Sequence, residues 1–377
     1  MMKKSLVALA VLAAACSAQA ADVTIYGRMD LGLDYLSTQM TETDVDGATK
    51  TKSHSFGLNS GNSTGSRFGI KGTEDLGNGL KVGFVLENGF KADSGAMGDD
   101  TRLFDREASM SLSGDFGTVY AGRMGTLVSD AGSVGFYAGA VSPFGSGWSK
   151  ISGHTALFAN YTSRLDNVVT YVSPDFAGAK VYAQYGMGDQ GEENTSNTNR
   201  YAALGASYKL GALELASVLD YTNKKTANTA NADKVDDAFT FNVGGSYDFG
   251  VVKAFAAAQY FKDAADVASI LTDLKETGAT LGAKGYGLNV GVTAPVFGGT
   301  ALLSAGYMDG EIEDNLYSGE SDDVKAYALS AGYTYNLSKR TSVFAGAGYT
   351  YREIEGNDQW KAEWDTYQVM SGLVHKF

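Results

Sequence analysis

The chain has 377 residues, with 48 Gly, 3 Pro, 3 His, 22 Tyr and 18 Phe, and a formal net charge of −13 at pH 7. Glycine stands well above its average usage of about 7%, while charged residues, at 19%, fall below the usual share of about 25%. Abundant apolar and aromatic residues exclude collagen, coiled coil and long disorder, and an acidic chain with no basic block excludes nucleic acid as a partner.

Residues 1–20 read as a cleaved export signal. Lys3 and Lys4 form a basic start, and Ala18-Gln19-Ala20 is a small-x-small cleavage site. Leu6 to Ala15 is apolar but shorter than the roughly 20 residues a spanning helix needs. A lipoprotein signal acylated at Cys16 is the rival reading, and Ala13 speaks against it, since such signals prefer a larger aliphatic there. Cys16 is the single cysteine, so residues 21–377 have no disulfide framework and no cysteine-based metal site. No later apolar run is long enough for a transmembrane helix.

From residue 22 onward the pattern has a period of two. Val23, Ile25, Gly27, Met29, Leu31, Leu33 and Tyr35 share one face, and Thr24, Tyr26, Arg28, Asp30, Gly32 and Asp34 share the other. Phe239, Phe241, Val243 and Tyr247 repeat the pattern against Thr240, Asn242, Ser246 and Asp248. Near the end, Tyr367, Val369, Leu373 and Phe377 oppose Thr366, Gln368, Gly372 and Lys376. Each run is about ten residues, the length of a tilted membrane strand.

Two kinds of connection alternate. Short turns are read at Asp75–Gly79, Gly114–Gly117, Ser173–Phe176, Lys209–Gly211, Asp248–Gly250, Phe297–Gly299 and Asn336–Ser338. Long polar ones are read at 39–53, 92–101, 187–199, 222–236, 262–277, 310–322 and 353–363. Sixteen strands are predicted, starting near 22, 57, 80, 102, 117, 164, 179, 200, 212, 237, 251, 279, 300, 323, 341 and 363. The alternation is mixed near 251–261 and 300–309.

The fold class is therefore all-β: a closed antiparallel transmembrane β-barrel, with residues 21–377 forming one domain. Closure is required, because an open sheet edge in lipid leaves backbone amides unpaired at several kcal/mol each. A soluble β-sandwich also alternates, but its outer face would carry charge, whereas here it carries Phe, Tyr, Leu, Val and Gly. Tyr185, Tyr221, Tyr247, Tyr260, Tyr307, Tyr335 and Tyr351 lie near strand ends, as an aromatic girdle would.

One connection differs. Residues 124–163 are rich in Gly, Ser and Ala, carry Phe136, Tyr137, Phe144 and Trp148, and hold one acid, Asp130. Such a segment suits packing against a wall inside the barrel better than exposure as a surface loop.

The chain resembles the trimeric general-diffusion porins of Gram-negative outer membranes, in their β-proteobacterial form. The motifs are Val23-Thr-Ile-Tyr-Gly-Arg28, the stretch from Ser66-Arg-Phe-Gly-Ile-Lys71 to Gly79-Leu-Lys81, the stretch from Arg106-Glu-Ala-Ser to Tyr120-Ala-Gly-Arg123, and the closing His375-Lys-Phe377. The resemblance implies a sixteen-stranded barrel, three per assembly, in which the third extracellular loop folds inward as an eyelet and small polar solutes and ions diffuse passively. It further implies a basic wall stripe at Arg28, Arg67 and Arg106, with Arg123 as a fourth member or a subunit contact, facing Asp130 on the loop. Where many members carry an acid beside the Pro-Phe-Gly stretch, this chain has Ser142-Pro-Phe-Gly145, which weakens the implied transverse field. Asp30, Lys71, Lys81 and Glu87 are assigned to the lumen, and Phe377 to recognition by the barrel-assembly machinery. Outer-membrane lipid and lipopolysaccharide are the expected surroundings.

Alternation independently puts Arg28 and Arg67 on the inner face, since arginine at the lipid midplane costs about 2–4 kcal/mol. Arg106 shares parity with Ala108, Met110 and Leu112, so alternation does not orient it. The small residues Ala108, Ser109, Ser111 and Ser113 suit a wall packed on a neighbouring subunit. Several arginines against one loop carboxylate favour anions. A substrate-specific channel and a surface receptor or adhesin are the alternative functions. An enzyme is not expected: His54, His154 and His375 fall in no recognisable catalytic arrangement. The acidic clusters at Asp93, Asp99 and Asp100 and at Glu311, Glu313, Asp314, Asp322 and Asp323 lack calcium-loop spacing. They read as solvated charge, and no metal or cofactor is expected.

Overall fold

The alternating runs become strands of a single antiparallel sheet that closes on itself. A computed structural model describes residues 21–159, 161–188, 199–223, 236–264, 266–267, 282–313, 321–356 and 360–377. The export signal read over 1–20 lies outside the described residues, as do parts of the long connections read at 187–199, 222–236, 262–277, 310–322 and 353–363. The strands are β1 (Ala21–Asp44), β2 (Gly47–Ser60), β3 (Arg67–Gly77), β4 (Leu80–Gly89), β5 (Glu107–Gly114), β6 (Gly117–Gly125), β7 (Arg164–Val172), β8 (Ala179–Gly186) and β9 (Arg200–Leu210). They continue with β10 (Leu213–Asn223), β11 (Ala238–Asp248), β12 (Lys253–Ala264), β13 (Gly282–Val296), β14 (Gly299–Glu313), β15 (Ser321–Asn336), β16 (Thr341–Glu355) and β17 (Lys361–Lys376).

β1 is the seam. Along one edge it pairs with β17, from Arg28↔Lys376 to Thr43↔Lys361. Along the other it pairs first with β3, up to Arg28↔Arg67, and then with β2, from Leu31↔Ser60 onward. β2 and β3 are thus two parts of one wall strand, interrupted at 61–66, and the 17 segments build a sixteen-stranded barrel.

The faces follow the parity of the sequence. Val23, Ile25, Met29, Leu33 and Tyr35 are exposed on the outer wall, and Asp30 and Asp34 are buried on the inner side. Phe241 and Val243 face outward while Thr240 and Asn242 are buried. In β17, Tyr367, Val369 and Leu373 face outward over buried Gln368, Met370 and Val374, and Phe377 just after it is exposed too. The predicted short turns each join consecutive strands. At Gly77-Asn78-Gly79 all three residues have positive φ (+83°, +51° and +80°), which explains the glycines flanking Asn78.

Two boundaries differ from the sequence reading. The loop expected at 39–53 is strand on both sides, and β1 and β2 run on to a turn at Val45-Asp46. Its residues are polar on both faces, so no hydrophobic period marked it, but Thr and Ser suit a ladder standing in water. The strand expected from 57 therefore begins at Gly47, and the one expected from 102 begins at Glu107. Arg102 there bonds Asp166 at 2.8 Å instead of joining a ladder.

The chain ends on the seam. Gly27 N donates to Phe377 O at 3.1 Å and Phe377 N to Gly27 O at 3.0 Å. A side chain at Gly27 would meet the Phe377 ring at 2.4 Å, so the glycine leaves the space the last aromatic fills. Deleting Phe377 removes both bonds and the ring contact. The expected result is a clear fall in the folded, fast-migrating fraction when unheated and heated samples are compared by gel electrophoresis.

Candidate functional site

The segment between β6 and β7 packs against the inner side of the wall. It contains short helices at Tyr137–Val141 and His154–Leu157 and a 3-10 turn at Ser149–Ser152. Glycines on the wall make the room. Gly205 receives Phe136 and Leu127, Gly244 receives Val141, and Gly291 receives Pro143. Gly332 and Gly346 receive Trp148, and Gly346 also receives Ile151. A Cβ at Gly287 would stand 2.0 Å from Leu157 O, and one at Gly306 would stand 2.2 Å from Leu157 Cδ1. Phe144, Trp148 and Ile151 form an apolar cluster with Leu302, Phe344, Met370 and Val374.

Polar anchors fix the same face. The Gln259 amide clasps Ala159, accepting from its N at 2.7 Å and donating to its O at 3.0 Å. Tyr137 Oη donates to Val243 O at 3.1 Å, and Arg352 Nη2 to Thr155 O at 3.2 Å. Together these groups hold the segment against strands β9 to β17.

The wall across from it, built from β1 and β3 to β7, carries the arginines. Glu87 on β4 is their hub. Its Oε1 takes Arg106 Nε at 2.7 Å and lies 3.7 Å from Arg67 Nη1, while Tyr26 Oη donates to Oε2 at 3.0 Å. Arg28 pairs across the ladder with Arg67, and the charges of Arg28, Arg106 and Arg164 all bear on Arg67. Arg164 Nε donates to Arg106 O at 2.8 Å. Arg106 stands just before β5, where strand parity no longer directs it, and it turns inward to Glu87.

The remaining candidates lie as follows. Arg123 bonds Asp166 at 2.6 Å and Asp105 O at 2.6 Å, its charge bears on Arg164, and Asp166 also binds Arg102. Asp130 faces the turn in its own segment, accepting from Ser146 N at 3.0 Å and from the Ser146 hydroxyl. Asp30 corrects the lumen assignment: it is 0% exposed, and its carboxylate accepts from Ser63 and Thr64 in the break between β2 and β3. Lys71 lies with its ammonium 5.4 Å from the Tyr26 ring centre, and Lys81 is exposed.

Sequence reasoning missed Arg164 and the break at 61–66. Arg164 opens β7 opposite Gly125 and carried no motif. Its one legible signal was its place as the first strand residue after the unusual connection.

His154 lies buried in the packed segment, with its ring 5.1 Å from Phe158 and 4.5 Å from Tyr161, and among the described residues its Nε2 has no hydrogen-bond partner. Burial lowers its pKa to about 4. As pH falls through about 6.5 a released imidazole binds a proton that the buried one refuses, so packing of the segment weakens down to about pH 4, by about 3 kcal/mol in all. Channel current should therefore become noisier or change level between pH 6 and pH 4, and His154→Phe should remove that dependence in single-channel recordings.

Comparison with known proteins agrees with this architecture. Residues 8–355 match the family described as Gram-negative porin. An outer membrane porin protein of Bordetella pertussis is 32% identical over 92% of this chain and 94% of its own length. An anion-selective porin from Comamonas acidovorans superposes with a TM-score of 0.67 at 24% identity, covering 95% of this chain and 100% of its own. The trimer form of OmpT, an outer membrane protein of Vibrio cholerae, superposes with a TM-score of 0.59 at 17% identity, covering 95% of this chain and 100% of its own. The chain belongs to the Gram-negative porin family and is an outer-membrane β-barrel porin.

Proposed function

We propose that this porin is a general-diffusion channel for small polar solutes and ions, with a preference for anions set between the arginine wall and the segment 124–163. The observation that carries this reading is a cluster of cations: the charges of Arg28, Arg106 and Arg164 all bear on Arg67, Glu87 engages only Arg67 and Arg106, and its ladder neighbour Glu107 is buried and engaged by Ser109 and Ser133. Asp130, the acid expected to oppose them, is exposed and accepts from Ser146, so it keeps its charge as a single acid on the facing segment. Fixed charge in a narrow passage sets ion preference more strongly than charge at a wide, salt-screened mouth. The constriction therefore outweighs the acidic outer connections. The Comamonas porin of the same fold is described as anion-selective, which supports the same lean.

In this reading residues 1–20 are removed on export and 21–377 form one barrel domain. The barrel is one of three in a homotrimer, as in the trimer form described for OmpT. Met110 and Leu112, exposed on the outer wall beside small neighbours, belong to a subunit or lipid contact. Lipid and lipopolysaccharide surround the rest, and the barrel-assembly machinery reads the strand ending in Phe377. Arg123 acts in bracing the 90–106 connection through Asp166 more than in selecting solutes.

The reading is of a channel and not an enzyme. The Ser152 hydroxyl donates to Ser149 O and accepts from the His154 backbone N, so this serine beside the buried histidine is oriented by main chain.

Reversal potentials across a potassium chloride gradient should give a chloride-to-potassium permeability ratio above one. Arg67→Glu should move that ratio toward cations, and an unchanged ratio would remove Arg67 from the constriction.

A further inference from the structure

The break in the second wall strand folds toward the lumen. Gly61 starts it, with φ +79° and its N donating to Asp30 O at 3.0 Å. Asp30 Oδ2 then accepts from Ser63 N at 2.9 Å, Ser63 Oγ at 2.7 Å and Thr64 N at 2.7 Å. Three donors converge on one carboxylate oxygen, which ties the break to β1. On its other side Ser63 O accepts from Trp148 N at 3.0 Å, which joins the break to the segment packed on the far wall. The passage is therefore bordered by a rigid element that strand alternation does not encode.

Thr64 stands at the tip. Its Oγ1 accepts from Arg28 Nη1 at 3.3 Å and from Arg67 Nη2 at 3.0 Å. Gly65 O accepts from Arg67 Nε at 2.9 Å. A hydroxyl oxygen has two lone pairs and one proton. Two guanidinium groups occupy the lone pairs, so the proton points away from both, and among the described residues it has no acceptor. Thr64 is half-buried, with part of its surface open. The result is an O–H donor, polarised by two cations and set beside their remaining N–H groups. That set of donors matches an anion.

We propose that Thr64 is a specificity-determining residue: its hydroxyl, aimed by Arg28 and Arg67, donates to an anion in transit, and the break at 61–66 holds it there. This rests on the channel reading above. The hydroxyl adds a directional contact, so it acts most on multivalent oxyanions, whose several acceptors engage it and the guanidinium groups together.

The test uses the full mature chain in planar bilayers, with sulfate as the probe against chloride current. Sulfate should block the wild-type current. Thr64→Val keeps the shape and loses both the donor and the acceptor that aligns Arg28 and Arg67, and it should weaken the block at least about tenfold, the size expected for one hydrogen bond to a charged partner. Thr64→Ser should stay within about twofold of wild type, since it retains the donor. Thr64→Ala serves if the valine variant does not give the folded band on unheated gels. Equal block in wild type and Thr64→Val, equal loss in Thr64→Ser, or no sulfate block of a chloride-conducting wild type would each overturn the assignment alone. A wild type that opens no chloride-conducting channel would overturn the channel reading with it.

Discussion

Backbone hydrogen bonding in hydrocarbon is the constraint from which the rest of this structure follows. Each unpaired amide in lipid costs several kcal/mol, so a sheet there has to close. β1 achieves this by pairing with β17 on one edge and with β3 and β2 on the other, and the terminal Phe377 completes the ladder at Gly27. Closure leaves only one place for the polar parity of each strand, the interior, and that places Arg28 and Arg67 there without further instruction.

The interior is then divided between two kinds of physics. Strands β9 to β17 offer glycines and apolar side chains, and the 124–163 segment fills them by packing and a few main-chain bonds. Strands β1 and β3 to β7 offer arginines held in a fan by Glu87, Thr64 and backbone carbonyls. A charged wall cannot be packed against cheaply and an apolar one cannot hold solutes in water, which is why the proposed passage lies between them. The high glycine content of the chain has a cause in this division, since a Cβ at Gly287 or Gly306 would occupy space that Leu157 takes.

The same division explains where the sequence pattern blurred. Around 251–261 the alternation was mixed because Phe255 and Phe261 point inward, Phe261 into the apolar cluster and Phe255 against the Lys253 ammonium. Around 300–309, Leu302 and Met308 are inward for the same reason, with Leu302 meeting Phe144 and Trp148 in one cluster. Binary patterning assumes a wet interior and fails where a loop lines it. At the site, Arg28 and Arg67 were legible from parity, while Arg106 depended on resemblance, because it lies outside its strand and parity no longer governs it. Asp30 was legible as inward but not as a staple, since its partners, Ser63 and Thr64, lie 33 and 34 residues away.

Taken alone, the sequence determined the barrel, its strand order, its short turns and the polarity of each face, because these depend on period and on neighbours in the chain. Only the tertiary structure decided that Arg164 joins Arg106, that Asp130 turns to Ser146, and that the second strand breaks inward to set Thr64 between Arg28 and Arg67. Those contacts join side chains from strands that meet only after the sheet has curved shut, and no local pattern records which groups a closed wall will bring face to face.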